Sequence, residues 1–159
     1  MKFLAASWRW PFISGSVKAK GCIFCRAAGD REDGSLVCHR DRSFFVMLNK
    51  YPYSTGHVMI APLAHCASPE LLPPGELGEM TGLLLRTLEI LRRELRPAGF
   101  NVGMNLGEAA GAGVVDHFHL HVVPRWPGDA NFMATVADTK VLSYDLGQVR
   151  ETLSRAFRS

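Results

Sequence analysis

Leu77, Met80, Leu84, Leu88, Leu91 and Leu95 recur at intervals of three and four, a spacing that predicts an amphipathic helix over residues 75–96 with this stripe in the core. Pro69, Pro73 and Pro74 break the chain before it, and Pro97 stops it. Ahead of the helix, short runs rich in β-branched and aromatic residues predict strands near 35–39, 43–49 and 56–62. Behind it, residues 99–106 and 115–123 predict two more strands joined by a glycine-rich turn. Leu146, Val149, Leu153 and Phe157 fall on one side of a short closing helix over residues 145–157, and an arm of about twenty residues precedes the first turn. Strands in runs with one dominant helix imply an α+β fold, an antiparallel sheet covered on one face.

Composition limits this picture without redirecting it. A chain of 159 residues with 47% hydrophobic content can bury one proper core. The net charge of +3 is mild and the basic residues are scattered, which suits a small anionic substrate and does not demand nucleic acid. Arg92, Arg93 and Arg96 gather late in the predicted long helix, where they complement its dipole. Arg9 interrupts the apolar start before a leader-like run develops, and no stretch approaches a membrane span, so a cytoplasmic protein with no membrane partner is expected.

The candidate chemistry lies in DHFHLHVVPRW, residues 116–126, where His117, His119 and His121 alternate with Phe118, Leu120 and Val122. On a strand this places three imidazoles on one face, about 7 Å apart, and the apolar residues on the other. Imidazole is the side chain best suited at neutral pH to nucleophilic attack, proton transfer and metal ligation. A half-wet strand would accept Thr, Lys or Glu equally well, and one metal held by three alternate strand residues is uncomfortable. Separate roles for the three rings gain weight from the preceding stretch, NVGMNLGEAAGAGVVD. Its glycines and alanines let backbone N–H groups approach an anion as a phosphate cradle, although a flexible hairpin has the same composition.

Cys22 and Cys25 form a C-x-x-C, with Cys38 and Cys66 elsewhere. In a cytoplasmic chain, metal binding, redox work and plain burial are the open roles, and the βαβ pattern of a thioredoxin-like site is absent. Cys38, Cys66 and His39 are substitute ligands or structural residues.

The block HFHLHVV resembles the alternating histidine signature of the histidine triad (HIT) superfamily of nucleotide hydrolases and transferases. The likeness extends to GCIFC, NKYPYSTGHVMIAPLAH, NLGEAAGAG and VPRWPGDANFM, and together these cover about residues 20–140. Their wording is similar to the branch containing Fhit-type dinucleoside polyphosphate hydrolases and bacterial diadenosine tetraphosphate phosphorylases. The resemblance implies a HIT-like antiparallel sheet with one long helix and a shorter C-terminal helix, organised as an arm over residues 1–20 and a single HIT domain over 21–159.

The resemblance also implies roles. His119 would attack the α-phosphorus of a nucleotide through one ring nitrogen while a backbone carbonyl holds the other, giving a nucleotidyl-histidine that water or inorganic phosphate then cleaves. His57 and His121, with the glycine-rich backbone, would stabilise charge on the phosphate oxygens. Asn49 matches a position that meets the ribose in relatives, with Met47 and Met59 on the face beside the base. Asn105, Gly111 and Gly113 of the loop complete the candidate substrate contacts. Relatives with a C-x-x-C add two histidines to it, matching His65 and His117, so that Cys22, Cys25, His65 and His117 would hold a structural zinc; no organic cofactor is implied.

One position departs from the pattern: Gly113 stands where many hydrolytic relatives carry glutamine, four residues before the first triad histidine. Together with the AGAG wording, this makes phosphorolysis a serious alternative. Trp126, Asp129 and Asn131 resemble the phosphorylase-like branch too, and Trp126 could cover a substrate base. Nucleoside phosphoramidate hydrolysis and a non-catalytic zinc or nucleotide-binding module are further alternatives. A nucleic-acid-processing role is opposed by the weak basic balance. The resemblance also implies a homodimer through the long helix or the C-terminal region, with a tetramer as the alternative.

Overall fold

A computed structural model describes residues 21–29, 35–129 and 145–159. The predicted arm over 1–20 and Asn131 lie outside the described residues. Helix α1 (Ile23–Gly29) is followed by strands β1 (Val37–Arg40), β2 (Phe44–Leu48) and β3 (Val58–Pro62), then the long helix α2 (Glu76–Leu95), strands β4 (Gly99–Gly103) and β5 (Leu120–Arg125), and helix α3 (Leu146–Arg158). The strands form one sheet in the order β1-β2-β3-β5-β4, every neighbouring pair antiparallel. An α+β fold with one long and one shorter C-terminal helix is therefore observed.

Strand alternation distributes the core over two faces. Phe44, Val46, Leu48, Val58, Ile60, Leu120 and Val122 pack against Met80, Leu83, Ile90 and Leu91 of α2 and Val149, Leu153, Ala156 and Phe157 of α3. Phe45, Met47, Met59 and Ala61 point the other way and form a second, smaller cluster capped by Phe24 of α1. The sheet is thus covered on both faces near its centre, not on one, and β2 and β3 are buried at every position. Burial on both sides is what makes these strands continuous apolar runs instead of alternating ones.

The stripe of α2 also differs from the expected one. Met80, Leu83, Thr87, Ile90 and Leu91 are its buried residues, Leu84, Leu88 and Leu95 lie partly buried at the border, and Leu77 is exposed. Leucines occur on several sides of this helix, so spacing alone selects a face ambiguously, whereas the sheet contacts only one. Thr87 is tolerated in the core because its hydroxyl donates to the Leu83 carbonyl at 2.7 Å. The helix ends where Arg96 turns left-handed, with φ 49°, immediately before Pro97. Asp145 starts α3 by accepting from the N–H groups of Gly147 and Gln148 at 2.8 and 3.4 Å.

The last two strands are shorter than predicted at the end that matters. Pairing of β4 with β5 ends at Gly103 opposite His121, and pairing of β3 with β5 ends at Ile60 opposite Leu120. Residues 117–119 precede the strand, although their side chains keep the alternation: Phe118 joins the large core while His117 and His119 face the smaller cluster. In place of ladder bonds, the Phe118 N–H donates to the Cys66 carbonyl at 2.8 Å, and the His117 ring reaches the Pro62 carbonyl at 2.9 Å.

Candidate active site

The histidines converge where β3 meets the start of β5. His121 stands opposite Met59 across the ladder, and His57 immediately precedes β3, so the turn before one strand and the entry to its neighbour bring these rings together. Gly56, at φ 74°, makes the turn that delivers His57, and a side chain there would strike Leu95.

The bonding partners assign the ring protons. The Tyr53 backbone N–H donates to His57 Nδ1 at 3.1 Å, so the neutral His57 ring carries its proton on Nε2. That nitrogen lies 2.9 Å from His121 Nδ1, which therefore accepts, placing the proton of the neutral His121 ring on Nε2. His119 Nδ1 lies 3.2 Å from the His117 backbone carbonyl, an acceptor, so His119 holds its proton there and a lone pair on Nε2. Burial pushes the His119 imidazolium below its ordinary pKa, against a smaller opposing effect of the His117 carbonyl. Burial thus favours the neutral ring, and the bond from Nδ1 places its lone pair on Nε2.

His57 is fully buried, with its two nitrogens engaged by the Tyr53 N–H and by His121. Tyr53 stacks on His57 with centroids 4.9 Å apart and planes at 15°. On the other side Phe24 lies against both His117 and His119, at 5.1 and 4.6 Å. Neither aromatic was singled out from the sequence. For Phe24 a signal existed: it sits inside the C-x-x-C, so any site using both cysteines must carry it.

Cys22, Cys25, His65 and His117 come together with their ligand atoms within 4.8 Å of one another. Cys22 Sγ is 3.3 Å from His117 Nδ1, and Cys25 Sγ is 3.2 Å from His65 Nδ1 and 3.6 Å from His117 Nδ1. Bond lengths of about 2.3 Å to sulfur and about 2.05 Å to nitrogen at a tetrahedral angle require sulfur–nitrogen edges of about 3.5 Å, so the set has the size of a zinc site. Its chemistry fits as well. His117 donates from Nε2 to Pro62, which directs the Nδ1 lone pair at the two sulfurs, and burial holds this imidazole's pKa below the ordinary value. Cys38 and Cys66 stay apart from the group: Cys38 is buried with its thiol pushed up to about 12, and Cys66 donates to the Ser68 carbonyl. His39 stacks on Phe157, away from the group.

The candidate substrate contacts divide. Asn49 follows β2, its N–H bonded to the His57 carbonyl at 2.9 Å and its side-chain oxygen accepting from the Tyr51 N–H. Met47 and Met59 are paired across β2 and β3 and buried in the smaller cluster. Asn105 donates to the Gly111 carbonyl at 3.4 Å, Gly111 is left-handed at φ 83°, and Gly113 is exposed in the segment leading to His117. Trp126 is not brought to the histidines. It follows the far end of β5, where its indole N–H donates to the Arg96 carbonyl at 3.2 Å, and Asp129 beside it pairs with Arg125.

A sheet of this topology carrying a four-histidine cluster defines the class, and residues 30–128 match the HIT domain family. The chain belongs to that family. It is 37% identical over 123 residues, 77% of its length, to AP-4-A phosphorylase of Mycobacterium tuberculosis H37Rv, and the match spans 63% of that relative. It is 30% identical over 128 residues to a HIT-like protein of Methanocaldococcus jannaschii, covering 80% of this chain and 95% of the relative. Among solved structures, a zinc-bound histidine triad family protein of Mycobacterium smegmatis superposes with a TM-score of 0.68 at 28% identity, covering 87% of this chain and 94% of that one.

Proposed function

We propose that the protein cleaves dinucleoside polyphosphates at the α-phosphorus through a nucleotidyl-histidine on His119. The observation that carries this reading is the bonding of His119 Nδ1 to the His117 carbonyl, which leaves Nε2 of a buried neutral ring as the nucleophile. In the first step Nε2 bonds to phosphorus as the bridging P–O bond breaks and a nucleoside polyphosphate departs. His121 donates from Nε2 to the phosphoryl or leaving oxygen, its orientation fixed by the His57 bond. In the second step an acceptor oxygen displaces His119 and restores its lone pair. Asn49 toward the ribose and Asn105, Gly111 and Gly113 toward the phosphates remain the proposed contacts. Trp126 reaches a substrate base only if a second copy presents it.

A specific observation favours inorganic phosphate as the acceptor: the 37% identity to AP-4-A phosphorylase, alongside Gly113 in place of the glutamine of many hydrolytic relatives. Zinc, held by Cys22, Cys25, His65 and His117, would supply a structural cross-link between α1 and the entry to β5. A homodimer fits the apolar side chains exposed on α2 and β4, Leu77, Leu85 and Val102. Cytoplasmic residence fits four free thiols, and no described helix is long and apolar enough to cross a membrane.

The test is incubation with diadenosine tetraphosphate with and without inorganic phosphate, beside His119→Ala, with nucleotide products resolved by chromatography. ATP with ADP only when phosphate is added establishes phosphorolysis, and AMP with ATP establishes hydrolysis. Turnover that survives His119→Ala refutes the nucleotidyl-histidine.

A further inference from the structure

Phe24 is the one buried residue of α1, with 1% of its surface exposed. The seven-residue helix is too short to be stable alone, so its position comes from what grips it. Cys22 and Cys25 reach His117 and His65 at its start, and the Arg40 guanidinium donates to the carbonyls of Ala27 and Ala28 at its end. Beneath the Phe24 ring lie Phe45, Met47, Met59 and Ala61, so the ring cannot withdraw without emptying that cluster.

On its other side the ring meets His117 at 5.1 Å and, more closely, His119. The Phe24 and His119 centroids are 4.6 Å apart at an interplanar angle of 34°, while His121 meets His119 edge-on at 4.7 Å and 74°. The bond from His119 Nδ1 to the His117 carbonyl is 3.2 Å long, and that bond alone would allow the imidazole to turn over about its Cβ–Cγ bond. Turning over would carry Nδ1 away from the carbonyl and swing Nε2 off its line of attack. The rotation must pass through an orientation across the Phe24 ring, and that space is filled.

We propose that Phe24 is a positioning residue for His119: its ring blocks the turning of the imidazole and so holds Nε2 in the attacking orientation. The proposal rests on the reading of His119 as the nucleophile. The two cysteines thereby gain a second consequence, because the helix they anchor carries the residue that braces the reactive ring.

The test compares Phe24→Leu, which keeps apolar bulk but lacks a flat face, with Phe24→Tyr, which keeps the face. Both are made in the full chain and read by ¹⁵N shifts of the His119 ring, metal content, melting temperature, and kcat and KM with diadenosine tetraphosphate. The His119 signal is identified by its loss in His119→Ala. Wild type and F24Y are expected to show a single Nδ1–H tautomer. F24L is expected to show mixed tautomers and a kcat lower by about tenfold or more, with KM within about twofold and metal content unchanged. F24L with one tautomer and wild-type kcat overturns the proposal, as does a loss of activity that tracks metal loss or unfolding while the ring signal stays fixed. Should F24L fail to fold, Phe24→Met is read in the same way. If wild type leaves the nucleotide uncleaved, the proposed function fails, while the ring signals of wild type and F24L still decide the role of Phe24.

Discussion

His57 Nε2 lies 2.9 Å from His121 Nδ1, a bond that ties the buried ring before β3 to the first histidine inside β5. His57→Phe keeps the buried shape and the stacking on Tyr53 but removes the donor. We expect kcat to fall about 10- to 100-fold with little change in KM, because His121 loses its fixed tautomer while the binding surface is intact. Steady-state kinetics with the proposed substrate, diadenosine tetraphosphate, check this, and a loss confined to KM would place His57 in substrate binding instead.

The Cys22, Cys25, His65 and His117 set is expected to bind one zinc per chain, and Cys25→Ser to lower that content well below one equivalent. Removing the metal with a chelator is expected to lower the melting temperature by roughly 5–10 °C, the equivalent of about 2–3 kcal/mol for a chain of this size. Metal analysis by mass spectrometry paired with calorimetry reads both quantities. An unaltered melting curve after complete stripping would remove the structural role.

Gly56→Ala is expected to destabilise the protein by about 2–4 kcal/mol. Of this, about 1–2 kcal/mol comes from a left-handed alanine and the remainder from crowding against Leu95. In urea denaturation, adding Leu95→Val should restore the crowding part and leave the backbone part. Full recovery would show that the left-handed turn costs nothing.

His39 has a pH signature. Burial and then the charge of Arg86 hold its pKa below 6.5, with Asp41 acting the other way, and among the described residues its buried Nε2 has no hydrogen-bond partner. Between the folded value and 6.5 the unfolded chain binds the proton more readily. This contribution to stability is therefore present above pH 6.5, is lost as pH falls below it, and levels off beneath the folded value. His39→Phe preserves the stack on Phe157, whose centroid is 4.7 Å away, and should flatten the stability curve in that window. Parallel wild-type and variant curves from pH 7.5 to about 5 would contradict this assignment.

Much of this was legible along the chain because the signals were local. The 3.6-residue period placed α2 within one residue at each end, and the alternation from His117 to Val122 sorted the rings onto one face even where no ladder exists. What escaped was set by long-range packing. Leu77 obeys the helical period yet projects past the sheet, and Trp126 lies close in sequence to the histidines but at the other end of a six-residue strand. The burial of His57 and the brace from Phe24 depend on segments 64 and 95 residues from their partners, His121 and His119, a separation that no spacing rule spans.

The entry to β5 falls one residue after His119, and this apparent defect in the sheet is what leaves the His117 carbonyl to serve as a clamp. A perfectly regular ladder would have committed that oxygen to a neighbouring strand. Lengthening β4 to pair with residues 117–119, an obvious stabilising design, would therefore take away the acceptor that sorts the two nitrogens of the His119 ring, the arrangement on which the proposed attack rests.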